Sequence, residues 1–404
     1  MAVGSHVLPP LYEVKGVLIG TASAGIKTVG RNDLVVFALE EGCKVAGVYT
    51  KNAFCAAPVT LTKKHIKEAQ PRYFVINTGN ANAGTGEAGM QAALAVCKAL
   101  AEQTGVEENT VLPFSTGVIG EQLPVEKIQT AIPVVLENLD VNGWKAAASG
   151  IMTTDTRPKG ISSKLKIDGV EVTITGIAKG SGMIRPDMAT MLAYVATDAN
   201  LEQEVLDQWL IEASDLSFNR ITIDGDTSTN DCCMLVASGK SGVTIQAGSE
   251  SGLKFKAALN QIFITLAQEL IKDGEGATKF VSIQINGGVT KEESLKVAYA
   301  IAESPLVKTA LFASDPNWGR ILAVVGRAGL ADLDISKIDI YLDEVCIVEH
   351  GGVADSYTEE AGAAVMAKDE IAIRVDLSRG ECSETIWTSD LSYDYVKINA
   401  EYRT

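Results

Sequence analysis

The sequence predicts a layered α/β or α+β sandwich, and three observations predict it. Short β-branched runs alternate with stretches whose apolar residues recur every three to four positions, the mixture of periods expected where helices cover sheets. At 404 residues the chain is long enough to bury a sizeable core, as one large unit or as two to three parts. A glycine-rich approach, Lys179-Gly-Ser-Gly182, interrupts it near the middle and is the best internal boundary. One sandwich is therefore expected in each half.

Asp33 to Leu39 and Arg72 to Asn77 are β-branched and read as strands, and Glu87 to Glu102 between later turns reads as a helix. Val111 to Phe114 is strand-like. Asp168-Gly169, between Leu165 and Val170, is a two-residue hairpin signal, because both residues tolerate the positive φ such a turn needs. Val170 to Ile177 returns from it as a strand. Leu201 to Leu216, Leu253 to Ile271 and Glu292 to Ala302 keep helical spacing, while Phe280 to Ile285 and Ile338 to Leu342 read as strands. Neither a repeat of fixed period nor a low-complexity segment is present.

Thirty-five Lys and Arg against 51 Asp and Glu give a formal charge of −16. That balance argues against nucleic acid and anionic membrane surfaces, whose phosphates are bound by clustered cations. Seven cysteines, two adjacent at Cys232 and Cys233, lack the spaced pairs of a disulfide framework or a zinc site and read as reduced core thiols. The start Met-Ala-Val-Gly-Ser-His has no basic lead followed by an apolar run, and no stretch approaches about 18 uninterrupted apolar residues. A cytoplasmic location is expected.

The chemistry concentrates around Thr190, which Lys179-Gly-Ser-Gly-Met-Ile-Arg-Pro-Asp-Met-Ala-Thr-Met-Leu-Ala-Tyr194 leads into an apolar run. Left uncut, Thr190 is only a half-buried strand residue. Freed as a new N-terminus, it carries a hydroxyl beside its own α-amine, whose reference pKa of about 8 lets one residue act as nucleophile and base. The three histidines, His6, His65 and His350, stand in no hydrolase-type setting, and no paired metal ligands appear. Acyl chemistry in this chain would have to run without imidazole or metal.

Three further motifs contain glycine. Gly84-Thr-Gly-Glu-Ala-Gly89 fits the dinucleotide-binding pattern, so an oxidoreductase is a rival reading, yet six residues separate it from the strand ending at Asn77. Asn77-Thr-Gly-Asn-Ala-Asn82 reads as a tight loop whose Asn side chains cap backbone groups, able also to line a site. Ser115-Thr-Gly-Val-Ile-Gly120, after the strand-like Val111 to Phe114, reads on its own as a turn.

Lys179 to Ala199 resembles the self-cleavage segment of the glutamate N-acetyltransferase family, also called ornithine acetyltransferase or ArgJ. The resemblance runs from Gly16-Val-Leu-Ile-Gly20 to Thr404 and includes Asn77 to Asn82, Ser115 to Gly120, Asp273-Gly-Glu-Gly-Ala-Thr-Lys279 and Ser314-Asp-Pro-Asn-Trp-Gly-Arg320. Arg185, Asp187 and Ala313 depart from the family's pattern. It implies an α/β (α+β) layered sandwich of self-cleaving N-terminal-threonine (DmpA/ArgJ-like) architecture. The cut falls between Ala189 and Thr190, giving an α chain of residues 1–189 and a β chain of 190–404 that stay associated as an α2β2 heterotetramer.

The resemblance also implies an acetyl transfer from N2-acetyl-L-ornithine to L-glutamate in arginine biosynthesis, with Thr190 as acyl carrier and no cofactor or metal. By resemblance, Thr116 and Gly117 hold the oxyanion, and Thr153, Lys179, Thr190, Glu275, Asn399 and Thr404 contact the substrate. Glu275, between two glycines, would otherwise be a solvated turn residue. Family members that also accept acetyl-CoA share these motifs, so the second donor stays open. The alternative is a self-processing N-terminal-threonine aminopeptidase or amidohydrolase, which would pass the acyl group to water.

Overall fold

The computed structural model of the protein describes residues 3–4, 7–185 and 191–401. The first part of the chain forms β1 (Val17–Ala22), β2 (Leu34–Leu39), β3 (Lys44–Tyr49), α1 (Ala57–Glu68), β4 (Tyr73–Asn80), α2 (Gly86–Thr104) and β5 (Val111–Val118). There follow α3 (Val125–Glu137), α4 (Trp144–Gly150), β6 (Lys159–Ile167), β7 (Val170–Lys179), β8 (Leu192–Thr197), α5 (Gln203–Leu216), β9 (Ile221–Thr222), β10 (Cys232–Ala237) and α6 (Glu250–Lys272). Next come β11 (Phe280–Gly288), α7 (Lys291–Ala302), α8 (Pro305–Phe312), α9 (Trp318–Gly326), β12 (Asp339–Leu342), β13 (Val345–Glu349) and β14 (Gly352–Val353). The chain closes with α10 (Glu359–Met366), β15 (Glu370–Asp376), β16 (Cys382–Ser389) and α11 (Tyr393–Ala400).

These strands make three sheets, in the orders β1-β2-β4-β5, β3-β10-β8-β7-β6 and β14-β13-β12-β15-β11-β16-β9. The first two lie face to face. Phe37, Phe74, Ile76 and Phe114 from one meet Ile177, Leu192, Tyr194 and Met234 from the other in a single core. The Tyr194 ring stands 5.3 Å from Phe37 and 5.4 Å from Phe114. Helices α2 and α3 cover the outer face of the first sheet through Val96, Leu100, Ile128 and Ile132. Helices α5 and α6 cover the outer face of the second through Trp209, Phe255, Leu259 and Phe263. The result is a helix–sheet–sheet–helix stack, and the third sheet builds a separate core with α7 and α9.

A strand between a sheet and a helix layer has no wet face, so β8 and β10 are buried at every position and read as unbroken apolar runs. Successive residues still point to opposite faces: Cys232 enters the inter-sheet core and Cys233 the core beneath α5 and α6. All seven cysteines are free; Cys43, Cys97, Cys232 and Cys233 are buried as expected, whereas Cys55, Cys346 and Cys382 are only half-buried. The Asp168-Gly169 hairpin forms as read, with φ of +51° and +84° and Ile167 paired to Val170. Pro113 is accommodated because β5 is an outer strand, where a missing N–H costs no ladder bond.

The partition into one sandwich per half differs from what forms. β10 pairs antiparallel with β3 and parallel with β8, and β8 pairs antiparallel with β7. The middle sheet thus interleaves strands from both sides of residue 190. A strand buried on both faces needs neighbours at both edges, and here one comes from before the boundary and the other from after it.

Candidate active site

Where β5, β7, β8 and β10 approach one another, a cavity of about 280 Å³ opens. Thr116, Gly117, Thr153, Lys179, Glu275 and Asn399 all line it, so six of the residues singled out in the sequence come together. Ala189, Thr190 and Thr404 lie outside the described residues. Met191, the residue after Thr190, lines the cavity, and its carbonyl accepts a 2.9 Å hydrogen bond from the Cys232 N–H.

The Thr116-Gly117 pair ends β5. Gly117 sits at φ +138°, and a Cβ there would press on the Gly79 carbonyl carbon and, at 2.5 Å, on the Asn80 nitrogen. Only glycine lets the two strand ends come this close. Asn77 to Asn80 prolongs β4 rather than looping, with a register shift at Gly79/Asn80, but the capping role of the asparagines is present. Asn77 Nδ2 donates to the Asn80 carbonyl (2.9 Å), Asn80 Nδ2 to the Gln122 carbonyl (3.1 Å) and Asn82 Nδ2 to the Gly89 carbonyl (2.8 Å).

Lys179 closes β7. Its Nζ donates to Thr116 Oγ1 at 2.8 Å and to Thr153 Oγ1 at 3.3 Å. An ammonium has donors only, so Thr116 Oγ1 must accept, and its own hydrogen is left to be donated into the cavity. Burial pulls the Lys179 pKa below the ordinary lysine value, against the opposing charges of Asp155, Asp231 and Glu275.

Several residues that the sequence reading gave no role hold this arrangement. Asp155 accepts from the Thr153 N–H (2.9 Å) and the Gly180 N–H (2.8 Å), tying together the two segments that carry the Lys179 contacts, and pairs with Lys159 at 2.7 Å. Burial alone would raise its carboxyl, but the charges of Lys159 and Lys179 and these hydrogen bonds hold it below the usual carboxylate range. Lys159 also pairs with Asp273, which accepts from the Thr156 N–H at 3.1 Å. A buried ion cluster of this kind is tolerated because each charge is matched and hydrogen-bonded. Asn230 donates to the Ser115 carbonyl at 2.9 Å and to the Ala81 carbonyl, fixing the peptide that enters Thr116.

Glu275 follows α6, its N–H bonded to the Ser181 carbonyl at 2.7 Å. Its Oε2 accepts from Asn399 Nδ2 at 2.8 Å, the bond by which α11 closes one side of the cavity. Gly182 runs so near that a Cβ would stand 2.5 Å from the Glu275 carboxyl carbon. Arg185, the described departure in the cleavage segment, pairs with Glu303 at 2.8 Å and lies 4.4 Å over the Tyr299 ring.

The rival glycine motif is used internally. A Cβ at Gly89 would meet Thr85 and Asn82, whose side chains bond to each other at 2.9 Å and fill the start of α2 where a pyrophosphate would have to lie. His65 is buried with Nδ1 2.8 Å from the Val111 carbonyl oxygen, His350 stands in an exposed turn, and neither lines the cavity.

The profile of the ArgJ family matches residues 18–404. The chain belongs to the ArgJ family. Proteins named arginine biosynthesis bifunctional protein ArgJ resemble it over their full length: that of Pseudomonas fluorescens (strain Pf0-1) is 59% identical, covering 100% of both chains. That of Methylococcus capsulatus (strain Bath) is 52% identical over 98% of this chain and 97% of its own. The crystal structure of the arginine biosynthesis bifunctional protein ArgJ of Bacillus halodurans matches at 37% identity and a TM-score of 0.50, over 52% of this chain and 99% of that one. In this ArgJ-family chain the cavity is therefore walled by residues from both sides of the Ala189-Thr190 bond. Among the described residues no helix is long and apolar enough to cross a membrane.

Proposed function

We propose that this ArgJ-family enzyme moves an acetyl group from N2-acetyl-L-ornithine to L-glutamate in arginine biosynthesis, with Thr190 as the carrier. The observation that carries the reading is the convergence of Thr116, Gly117, Lys179 and Glu275 on one cavity whose wall continues into Met191. In maturation the Thr190 hydroxyl attacks the Ala189 carbonyl, and water hydrolyses the ester to leave an α chain of residues 1–189 and a β chain of 190–404. The Bacillus halodurans chain is a piece of matching length, since 52% of the present chain spans 99% of it and residues 190–404 are just over half of this sequence.

In catalysis the freed α-amine takes the hydroxyl proton while Oγ1 attacks the acetyl carbonyl. The Thr116 hydroxyl and the Gly117 N–H stabilise the developing oxyanion. Ornithine leaves, and the glutamate amine attacks the acetyl-threonine in turn. Lys179 meets the carboxylate common to both amino acids, while Thr153, Glu275, Asn399 and Thr404 complete the pocket around the parts that differ. The relatives are named bifunctional; should acetyl-CoA also serve as a donor, it would load the same threonine. The two chains stay paired as an α2β2 heterotetramer in the cytoplasm.

Incubation with N2-acetyl-L-ornithine alone tests the reading. Ornithine should appear in a burst bounded by the enzyme concentration, and one acetyl mass should map to the N-terminus of the 190–404 chain. Added glutamate should remove that mass as N-acetylglutamate. Intersecting double-reciprocal lines with no labelled chain would refute the carrier role, and acetate released regardless of glutamate would make the enzyme a hydrolase.

A further inference from the structure

Asp231 leads into β10 and lines the cavity, is 4% exposed, and its Oδ2 has no hydrogen-bond partner among the described residues. Roughly nine in ten buried polar groups are bonded, so an orphaned carboxyl oxygen in a cavity wall points to a partner that arrives with the ligand. The parallel pairing of Cys232 with Leu192, and the bond from the Cys232 N–H to the Met191 carbonyl, set Asp231 beside Met191 at the nucleophile end of the sheet.

Its surroundings favour a neutral acid. Burial raises the carboxyl well above the ordinary value, and the Ser228 hydrogen bonds and the Lys179 charge only partly oppose it. The Cys232 thiol is its chain neighbour, and Glu275 lines the same cavity. Asp155, also coupled to Lys179, is pushed the other way and stays ionised. Two carboxyls whose environments drive them apart mark an acid beside a fixed charge.

We propose that Asp231 is the general acid–base for the substrate nitrogen, a role that rests on the acetyl-transfer reading above. As the C–N bond of N2-acetyl-L-ornithine breaks, the electron pair stays on nitrogen and the Asp231 carboxyl supplies its proton, becoming a carboxylate. The Thr190 amine meanwhile holds the hydroxyl proton. In the second half the glutamate amine bonds to the acetyl carbon and gives a proton to the Asp231 carboxylate, while the Thr190 ammonium returns its proton to Oγ1. The proton ornithine gains from water on leaving matches the one glutamate gives up on entering, so both groups end as they began.

Asp231→Asn keeps the shape and hydrogen bonding but transfers no proton. It is compared with wild type on N2-acetyl-L-ornithine, whose amine must be protonated to leave, and on 4-nitrophenyl acetate, whose phenolate leaves unaided. Acetylation of the 190–404 chain by N2-acetyl-L-ornithine should slow at least about a hundredfold, with the nitrophenol burst unchanged. Equal losses with both donors, or no loss with either, overturn the proposal. Should the variant remain uncut, the wild-type pH profiles decide. Acetylation by N2-acetyl-L-ornithine should carry an alkaline fall, from Asp231 losing its proton, beyond the Lys179 limb that both donors share, and profiles of one shape overturn the role. A wild type acetylated by 4-nitrophenyl acetate yet never by N2-acetyl-L-ornithine refutes the transferase reading, and Asp231's role with it.

Discussion

The direction of one hydrogen bond sets the chemistry of Thr116. Because the Lys179 ammonium donates to Thr116 Oγ1, the threonine is oriented as a donor toward the cavity before any substrate enters. Thr116→Ala should lower kcat by about a hundredfold to a thousandfold, as loss of one oxyanion donor does, with the fold retained. A change confined to KM would instead make Thr116 a binding residue. The same bond gives a pH prediction. Burial lowers the Lys179 pKa and the Asp155 charge raises it, so the active ammonium is lost as pH climbs through that lowered value. Removing the charge in Asp155→Asn should move the alkaline limb of kcat/KM to lower pH. An alkaline limb that stays in place in Asp155→Asn would show that Lys179 does not control it.

At the scale of elements, the oxyanion pair depends on β4 and β5 ending almost in contact. Gly117→Ala should force the Gly79–Asn80 backbone aside, costing about 1–3 kcal/mol of stability and most of the activity. A thermal melt and a turnover assay check both, and wild-type values in either would show that the strand ends can part freely. Helices α2, α5, α6 and α7 were legible in the sequence to within a few residues, because each carries an apolar stripe against a sheet. Helix α11 was not legible, since it buries no residue and has no stripe to read, although it carries Asn399. Thr116, Gly117, Lys179, Glu275 and Asn399 were found through family motifs rather than periodicity. Asp155, Asn230 and Asp231 were missed because their importance comes from distant partners: Asn230 acts on Ser115, 115 residues away, and nothing near it in the chain signals that contact.

For the whole molecule, the arrangement of the middle sheet governs what a cut at residue 190 can do. The mature protein should run as two fragments of near-equal size on a denaturing gel, the second beginning Thr-Met-Leu-Ala, while Thr190→Ala stays one chain. Under native conditions both fragments should co-elute, since β8 and β10 hydrogen-bond to β7 and β3 from the other fragment across sheet edges buried on both faces. Separate elution without denaturant would contradict that sheet order. The same interleaving fixes the molecularity of refolding. In the uncut chain β8 reaches its slot between β7 and β10 by closing a loop, a first-order event. After the cut it must be found by collision, so recovery of denatured mature enzyme should fall on dilution, whereas Thr190→Ala should refold at a rate independent of concentration. Maturation then acts as a one-way step: each chain folds once as a single polymer, and thereafter its native state is reached only by reassociation of separate fragments.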